Sequence, residues 1–368
     1  MDASVTTPLL HGHADFDDAH GLPTPASYGQ IQDHPAFLRA CHSPWRCFPQ
    51  NLLCWVRGGV VAYLTAVGAM VLDYKLRQES PYSNWRVVFD FSVVTFSLLL
   101  AYHAVVLGWT YTHLYYPHIE ETRTGWEYWA LRALSLPYDM ASLRKQFYFT
   151  MFYTITTVFT FMNTVIYWFV TLEHDDKGTG EPPQPQPSGG SAMSYMIGDS
   201  LDYEWTRLED SHKNGPHEPC KSSYPDDADQ SNEPMLVTEI FGKGWFKAFV
   251  ILNLFGITSI ISLFEIFYLN SIKRPFAVGA HTLGVIFFAG LYLGWAAIGK
   301  LETGADAFYW LNEKEVGSRE AVVASSIGFV ILAPIMYAFM HGLVGMRENI
   351  ARAAHTRRVA AAAAVAGQ

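Results

Sequence analysis

Charge is the scarcest feature of this sequence. Only 16% of the 368 residues are Asp, Glu, Lys or Arg, against roughly 25% in soluble domains. The formal net charge is −9, and a chain of that sign is unsuited to the phosphate backbone, so we expect no nucleic-acid partner. Most of the acidity lies in residues 173–239, which hold fifteen acidic and four basic residues.

Cysteine is scarce as well. The four cysteines are too few for a disulfide scaffold, and Cys41 and Cys47 with the neighbouring His42 lack the spacing and the fourth ligand of a zinc site. The cluster of Cys41, Cys47 and Cys54 consists either of plain reduced thiols or of sites for S-palmitoylation. We predict no bound metal and no other cofactor.

Long hydrophobic runs are what the sequence has in abundance. A bilayer core about 30 Å thick is crossed by roughly 20 apolar helical residues. Five runs reach that length, so we predict an all-α fold, a polytopic transmembrane helix bundle of about six helices. The five runs are Val87–Thr110, Phe147–Leu172, Ala248–Leu269, Phe276–Gly299 and Ala321–Met346.

The sixth run, Leu52–Asp73, is weaker. Only 15 residues separate Arg57 from Asp73, which is about 22 Å of helix. A full crossing requires the Arg57 side chain to extend to the membrane surface. If this run lies in the interface instead, the number of spans falls to five.

Polar segments set the domain boundaries. Residues 1–50 are predicted to be a disordered N-terminal tail, because they lack an apolar stretch that could bury a core. Residues 51–346 form the predicted transmembrane domain, interrupted by a disordered acidic loop at 173–239. Residues 347–368 form a basic and then Ala-rich C-terminal tail.

Basic residues near the helix ends predict the orientation of the chain. The larger set lies on the side of both termini and includes Arg39, Arg144, Arg274 and Arg347. We therefore expect an integral protein of the endomembrane system or plasma membrane, with both termini in the cytoplasm and the acidic loop on the opposite side.

Two further patterns concern packing. Residues Gly125–Met140 are rich in Trp and Leu and are predicted to lie in the interface between the second and third helices. Gly290 and Gly294 stand four residues apart on the fifth helix, a pattern that permits close approach of a neighbouring helix.

Polar side chains inside the apolar runs are the candidate functional residues, because each needs a partner or a cavity there. Alternating helix directions place His103, Glu265, His281 and His341 at similar depth, so these groups are predicted to converge. Each also has a structural interpretation: the histidines bond neighbouring helices, and Glu265 pairs with the basic loop that follows its helix.

These groups can be assembled into a hydrolytic site. Ser92 or Thr95 would be the nucleophile, His103 or His281 the base, and Glu265 the group that orients the base. Ser92 and His103 share a helix face but lie about 16 Å apart along the axis. A base for Ser92 must therefore come from another helix.

Several short motifs together resemble a known family. They are Trp85-Arg86 before the second helix, the helix end at Trp168, Leu263-Phe264-Glu265 on the fourth helix, Tyr292 with Gly294-Trp295 on the fifth, and Tyr309-Trp310-Leu311 after it. In this order, over roughly Trp85–Met346, the chain is similar to the androgen-induced, FAR-type membrane protein family and most closely to its fungal members.

The resemblance implies a multipass membrane protein that handles fatty-acid esters. Animal members of the family hydrolyse such esters with a threonine nucleophile and a histidine. The matching positions in this chain are Phe89 and Phe255, and neither side chain can act as a nucleophile or base.

Three functions follow as alternatives. The first is a non-catalytic protein that binds a membrane lipid or fatty-acyl ligand or scaffolds other membrane proteins. The second is a lipid-ester hydrolase with a rearranged Ser/Thr–His site. The third is a transporter or channel in which the buried carboxylate and histidines relay protons or ions.

Overall fold

The computed structural model describes residues 35–45, 48–78, 85–116, 125–137, 139–172, 245–275 and 277–366. These residues form helices and connections without a strand, so the all-α prediction is confirmed. The α-helices are Ala36–Ala40, Gln50–Gln78, Arg86–Phe89, Phe91–Tyr115, Trp126–Leu134, Leu143–Ile166, Trp245–Leu252, Thr258–Phe264, Val278–Thr303, Glu313–Val316 and Arg319–Ala366. Shorter turns complete them: π-helical Tyr167–Thr171, Asn253–Ile257 and Glu265–Leu269, and 3₁₀-helical Tyr309–Leu311.

Six helical segments are long and apolar enough to cross a membrane. The first helix has 29 residues, about 43 Å of helix, so the weak first run is long enough to be a full span. The predicted number of six is confirmed among the described residues. We number the segments span 1 to span 6: Gln50–Leu76, Phe91–Tyr115, Leu143–Thr171, Trp245–Leu269, Val278–Thr303 and Arg319–Arg358.

Span 3 lies at the centre of the bundle. In its most apolar window 78% of the residues are buried within the protein, whereas 17% are buried in that of span 6. Around span 3, an aromatic cluster joins spans 2, 5 and 6: the Phe91 ring lies 5.4 Å from Phe159, 4.7 Å from Tyr292 and 5.3 Å from Phe329. Between helices in lipid, such close packing supplies much of the attraction.

The outer faces of spans 5 and 6 are apolar and uncovered. Leu283 and Phe287 on span 5, and Ile327, Ile331 and Ile335 on span 6, are exposed and recur every four residues. Residues four apart lie on one helix face. A continuous apolar stripe of this kind is suited to contact with lipid tails.

The folded part of the chain begins before residue 50. The helix Ala36–Ala40 is buried, and its Phe37 ring packs against Trp109 and Phe149. Ser43 Oγ donates a hydrogen bond to the Tyr268 carbonyl. This N-terminal segment, residues 35–45, corrects the predicted tail boundary at residue 50; residues 1–34 lie outside the described part of the chain.

The two other predicted boundaries are those of the acidic loop and of the C-terminal tail. The acidic loop at 173–239 lies outside the described residues. The predicted C-terminal tail from residue 347 continues the last helix to Ala366, as expected from alanine's high helix propensity. The orientation of the bundle in the membrane stays a prediction.

Glycine allows close helix contact on span 5, but not where the sequence predicts it. A methyl group added at Gly290 or Gly294 would meet no atom of the described residues within 4 Å. At Gly299, the same methyl group would lie 2.5 Å from the Phe89 side chain. Close approaches on span 5 are therefore made at Gly299, to Phe89 before span 2, and at Gly284, to Met151 on span 3, and not at the predicted pair.

We predict that Gly299→Ala lowers the free energy of unfolding by about 1–3 kcal/mol, because the added methyl overpacks against the Phe89 ring. Gly290→Ala is the matched control on the same helix, and we expect it to be neutral or slightly stabilising. Thermal unfolding of the detergent-purified variants measures both. Equal melting temperatures for the two variants would contradict this packing.

Candidate functional site

A cluster of charged and polar side chains lies buried where span 1 begins and span 4 ends. We call it the ionic centre and define it by Arg57, Tyr102, Glu265, Asn270 and Arg347. Each of these residues is at most 2% exposed. Charges at this depth persist only where neighbouring groups replace water.

Arg57 is fully buried within the protein, where polar groups of other segments surround it, whereas the sequence predicts that a full crossing requires its side chain to extend to the membrane surface. Its Nη2 donates hydrogen bonds to the carbonyls of Ala40 at 2.7 Å and Leu269 at 2.6 Å. The same nitrogen lies 3.5 Å from Glu265 Oε1. The guanidinium group is held inside because the N-terminal segment and the end of span 4 supply oxygen atoms there.

Arg347 reaches the same helix end from span 6. Its Nη1 donates to the carbonyls of Ile266 at 3.1 Å and Asn270 at 2.8 Å, and its Nη2 donates to the Ile272 carbonyl. The last carbonyls of a helix lack internal partners and carry partial negative charge. Two arginines thus neutralise and cap the end of span 4.

Glu265 is the carboxylate of the centre. Its Oε1 accepts hydrogen bonds from Tyr102 Oη at 2.9 Å and Asn270 Nδ2 at 3.2 Å. Its Oε2 has no hydrogen-bond partner among the described residues. Arg57, and not the basic loop after span 4, is its ionic partner.

His103 belongs to the same region. It is fully buried, next to Tyr102, and interacts electrostatically with Glu265 and Arg57. Neither ring nitrogen has a hydrogen-bond partner in the described part of the chain. The structure therefore brings His103 and Glu265 together, as predicted from their depth.

His281 and His341 lie in a different group, so the predicted convergence is wrong for these two. The His281 ring nitrogens lie 3.1 Å from Thr150 Oγ1 and 3.0 Å from the Ala277 carbonyl. The Tyr337 ring contacts both histidine rings. The sequence predicts how deep these two histidines lie in the bundle, but it does not predict how their helices are rotated about their own axes. That rotation directs both side chains towards Tyr337.

Ser92 lies at the opposite end of span 2, beside an ion pair. Asp90 is the N-cap of this span, and its Oδ1 accepts hydrogen bonds from Ser92 N at 2.8 Å and Ser92 Oγ at 2.7 Å. Its Oδ2 is paired with Lys75 Nζ. Because Asp90 is partly buried beside an ammonium group and a helix N-terminus, its negative charge is compensated on both sides.

A cavity of about 120 Å³ opens beside this ion pair. We call it the Asp90 cavity. Spans 1 to 4 and the connection between spans 5 and 6 form its walls. The lining residues include the polar Lys75, Asp90, Ser92, Asn163 and Lys247 and the apolar Ile166, Val250, Ile251, Leu254 and Phe308.

The predicted hydrolytic set is divided between these two places. Ser92 lines the Asp90 cavity, whereas His103 and Glu265 lie at the other end of the helices and His281 lies beside Thr150. Thr95 is buried between the two places, and its hydroxyl has no partner among the described residues. Among the described residues, no histidine is hydrogen-bonded to either candidate nucleophile.

The predictions about a bound metal and about the cysteines can each be compared with the structure. Among the described residues, no group of three or more His, Cys, Asp or Glu side chains could hold a metal ion. Cys41 is fully buried in the N-terminal segment, and burial raises the pKa of its thiol to about 12. A neutral buried thiol is a poor substrate for acylation. Cys47 and Cys220 lie outside the described residues.

Several members of the two sites were not among the predicted candidates. Tyr102, Asn270 and Arg347 were missed because tyrosine and asparagine are common in helices and Arg347 follows an apolar run. The one available signal was the charge of Arg57 inside an otherwise apolar segment.

We predict that Arg57→Leu lowers the free energy of unfolding by about 3–5 kcal/mol, because Glu265 loses its ionic partner in a buried site. Lys300→Leu is the control: Lys300 is half exposed and pairs with Asp306 at 2.8 Å, so its loss should cost at most about 1 kcal/mol. Denaturant titration in detergent compares the two variants. Similar losses would show that the ionic centre contributes no more than a surface ion pair.

Cys41 supplies a second prediction. Since its thiol is buried and its pKa is about 12, less than one thousandth of it is thiolate at pH 8, and N-ethylmaleimide should leave it unmodified in the folded protein. Modification should appear after denaturation. Peptide mass spectrometry reads both states, and rapid labelling of native Cys41 would show that the N-terminal segment is not packed as described.

No protein-family model, curated protein or solved structure with which the chain was compared matches it. The six apolar helices are those expected of a multipass integral membrane protein.

Proposed function

We propose that this multipass membrane protein binds a membrane lipid or fatty-acyl chain in the Asp90 cavity and does not hydrolyse it. The observation that carries the proposal is the mixed lining of the cavity. It combines the Lys75–Asp90 ion pair and Ser92 with aliphatic and aromatic side chains.

An amphiphilic ligand matches this mixed polar and apolar lining. Its headgroup has hydrogen-bonding atoms for Lys75, Asp90 and Ser92, and its chain has apolar surface for Val250, Ile251 and Leu254. Ligand sites in proteins commonly combine a mostly apolar wall with a few polar groups that fix orientation. The lining of the Asp90 cavity has this composition.

The size of the cavity limits how much of the ligand it holds. At about 120 Å³ it is smaller than the roughly 300–1,000 Å³ of sites that enclose a drug-sized molecule. It is suited to a headgroup and the first carbons of a chain. The remaining carbons would lie against the apolar outer surface of the helices, in the bilayer.

Binding without hydrolysis follows from the side chains at the two family positions. The Phe89 ring packs against Trp295 at 4.8 Å, and the Phe255 ring stacks on Tyr167 at 3.9 Å. At both positions the side chain is an aromatic ring that packs against another aromatic ring. Membership of the androgen-induced, FAR-type family is part of this proposal and rests on the motifs described above.

A lipid-ester hydrolase is the second candidate, because the Ser92 hydroxyl lies in the cavity wall. Its neighbour is the Asp90 carboxylate, which is already paired with Lys75. Such a carboxylate is a weak general base, and an effective base has a pKa near the working pH. The binding role therefore has the stronger support.

We predict that the purified protein in nanodiscs is photolabelled saturably by a diazirine fatty acid, with competition by oleate. Ile251→Trp should abolish saturable labelling, because Ile251 lines the cavity and the indole would fill it. Leu252→Trp should leave labelling unchanged, since Leu252 lies on the exposed face of the same helix. Quantified cross-linking by mass spectrometry measures all three proteins.

Two results would contradict the proposal. One is labelling that does not saturate or that Ile251→Trp and Leu252→Trp alter equally, which would indicate nonspecific contact with the helix surface. The other is covalent labelling of Ser92 by a fluorophosphonate probe, lost in Ser92→Ala, which would favour the hydrolase.

A further inference from the structure

Two classes of buried serine and threonine hydroxyl groups can be distinguished along the bundle. In one class the hydroxyl donates to the carbonyl one turn earlier, as is usual for threonine in helices. Its members include Thr110, Thr112, Thr154, Thr157, Thr160 and Thr258. In the other class the hydroxyl has no partner among the described residues: Thr95, Thr156 and Ser262.

Thr95 and Ser262 lie between the ionic centre and the Asp90 cavity. Thr95 precedes Tyr102 by seven residues, so it lies on nearly the same face of span 2, about 10 Å along the axis. Ser262 precedes Glu265 by three residues, about one turn along span 4. Tyr102 and Glu265 are hydrogen-bonded, so their two helices run side by side at this depth.

Thr156 lies at the depth of Ser262 on span 3. Spans 3 and 4 run antiparallel, with Asn163 Nδ2 donating to the Leu254 carbonyl and Thr164 Oγ1 lying 2.6 Å from Ser259 Oγ. Continuing this antiparallel register along both helices towards the ionic centre places Thr156 at the same depth as Ser262. Asn163 itself lines the Asp90 cavity.

The unpartnered hydroxyls thus lead to further unpartnered atoms, which belong to the ionic centre and to the neighbouring His103. Those atoms are Glu265 Oε2, Arg57 Nε and Nη1, and both ring nitrogens of His103. The set contains donors and acceptors together. A bound anion would satisfy only the donors and a cation only the acceptors, whereas water serves both and commonly occupies such positions.

We propose that a chain of internal water molecules runs from the Asp90 cavity past Ser92, Thr95, Thr156 and Ser262 to Glu265 and His103. Through it, the Glu265–His103 pair exchanges protons with the cavity end alone. A ring nitrogen takes a proton from the adjacent water and returns one to it, so no net charge is moved. This proton-exchange site goes beyond ligand binding and does not depend on it.

The opposite end of the pair is closed by the N-terminal segment. Ala40 and Cys41 are fully buried, the Ala40 carbonyl accepts from Arg57, and Ser271 N donates to the Arg39 carbonyl. The charged and titratable groups that face Glu265 come from the N-terminal segment and spans 1, 2 and 3: Cys41, Arg57, Tyr102, His103 and Tyr153. Arg347 on span 6 bonds to Asn270, which itself bonds to Glu265. None of them connects the pair to the surface on that side.

The test measures hydrogen–deuterium exchange of the His103 ring N–H in the full-length protein in nanodiscs, by NMR with ¹⁵N-labelled histidine. We expect exchange to be slowed at least tenfold by Thr156→Val and by Ser262→Ala, because each removes a hydroxyl from the water chain. Thr157→Val is the matched control. Thr157 is the neighbouring buried threonine, and its hydroxyl is bonded to the Tyr153 carbonyl, so exchange should keep the wild-type rate.

Three results would overturn the proposal. The first is a wild-type ring that exchanges no faster than the protected backbone amides of span 3. The second is an equal rate in Thr156→Val, Ser262→Ala and Thr157→Val. The third is exchange that appears only in Phe37→Ala, which loosens the N-terminal segment, since protons would then enter from the opposite end.

Discussion

The rest of the structure depends on two arginines meeting the open end of span 4. A helix that ends within the protein leaves carbonyls without partners, and a charge taken from water needs compensation. Arg57 and Arg347 meet both needs, because their guanidinium groups bond to the carbonyls of residues 266–272. These bonds bring spans 1, 4 and 6 together at one point and define where Glu265 lies.

The N-terminal segment is held by the same arrangement. Its Ala40 carbonyl accepts from Arg57, its Arg39 carbonyl accepts from Ser271, and Phe37 fills the space between Trp109 and Phe149. With this end sealed, the open polar surface lies at the other end, in the Asp90 cavity. Ligand binding is therefore proposed for one end and a sealed protonatable pair for the other, with spans 1, 2 and 4 contributing residues to both.

Part of the candidate site could be predicted from the sequence. Helix direction and residue number place His103 and Glu265 at similar depth, and the structure brings them together. The same reasoning is wrong for His281 and His341, because depth does not determine which way a helix is rotated. Ser92 and Thr95 are both buried as expected for polar groups in lipid, but only Ser92 reaches a cavity. No sequence signal indicated that Asp90 would pair with Lys75 across a segment boundary.

The sequence by itself determined the helical class, the six spans and the scarcity of charge, because spacing of apolar residues against bilayer thickness is a local property of the chain. The tertiary structure alone decided the partners of Arg57, the burial of residues 36–45 and the contact of Gly299 with Phe89. These depend on helix rotation and on contacts between residues far apart in sequence. Such contacts are selected by packing and by the need to satisfy every buried polar group together, which no single run of residues encodes.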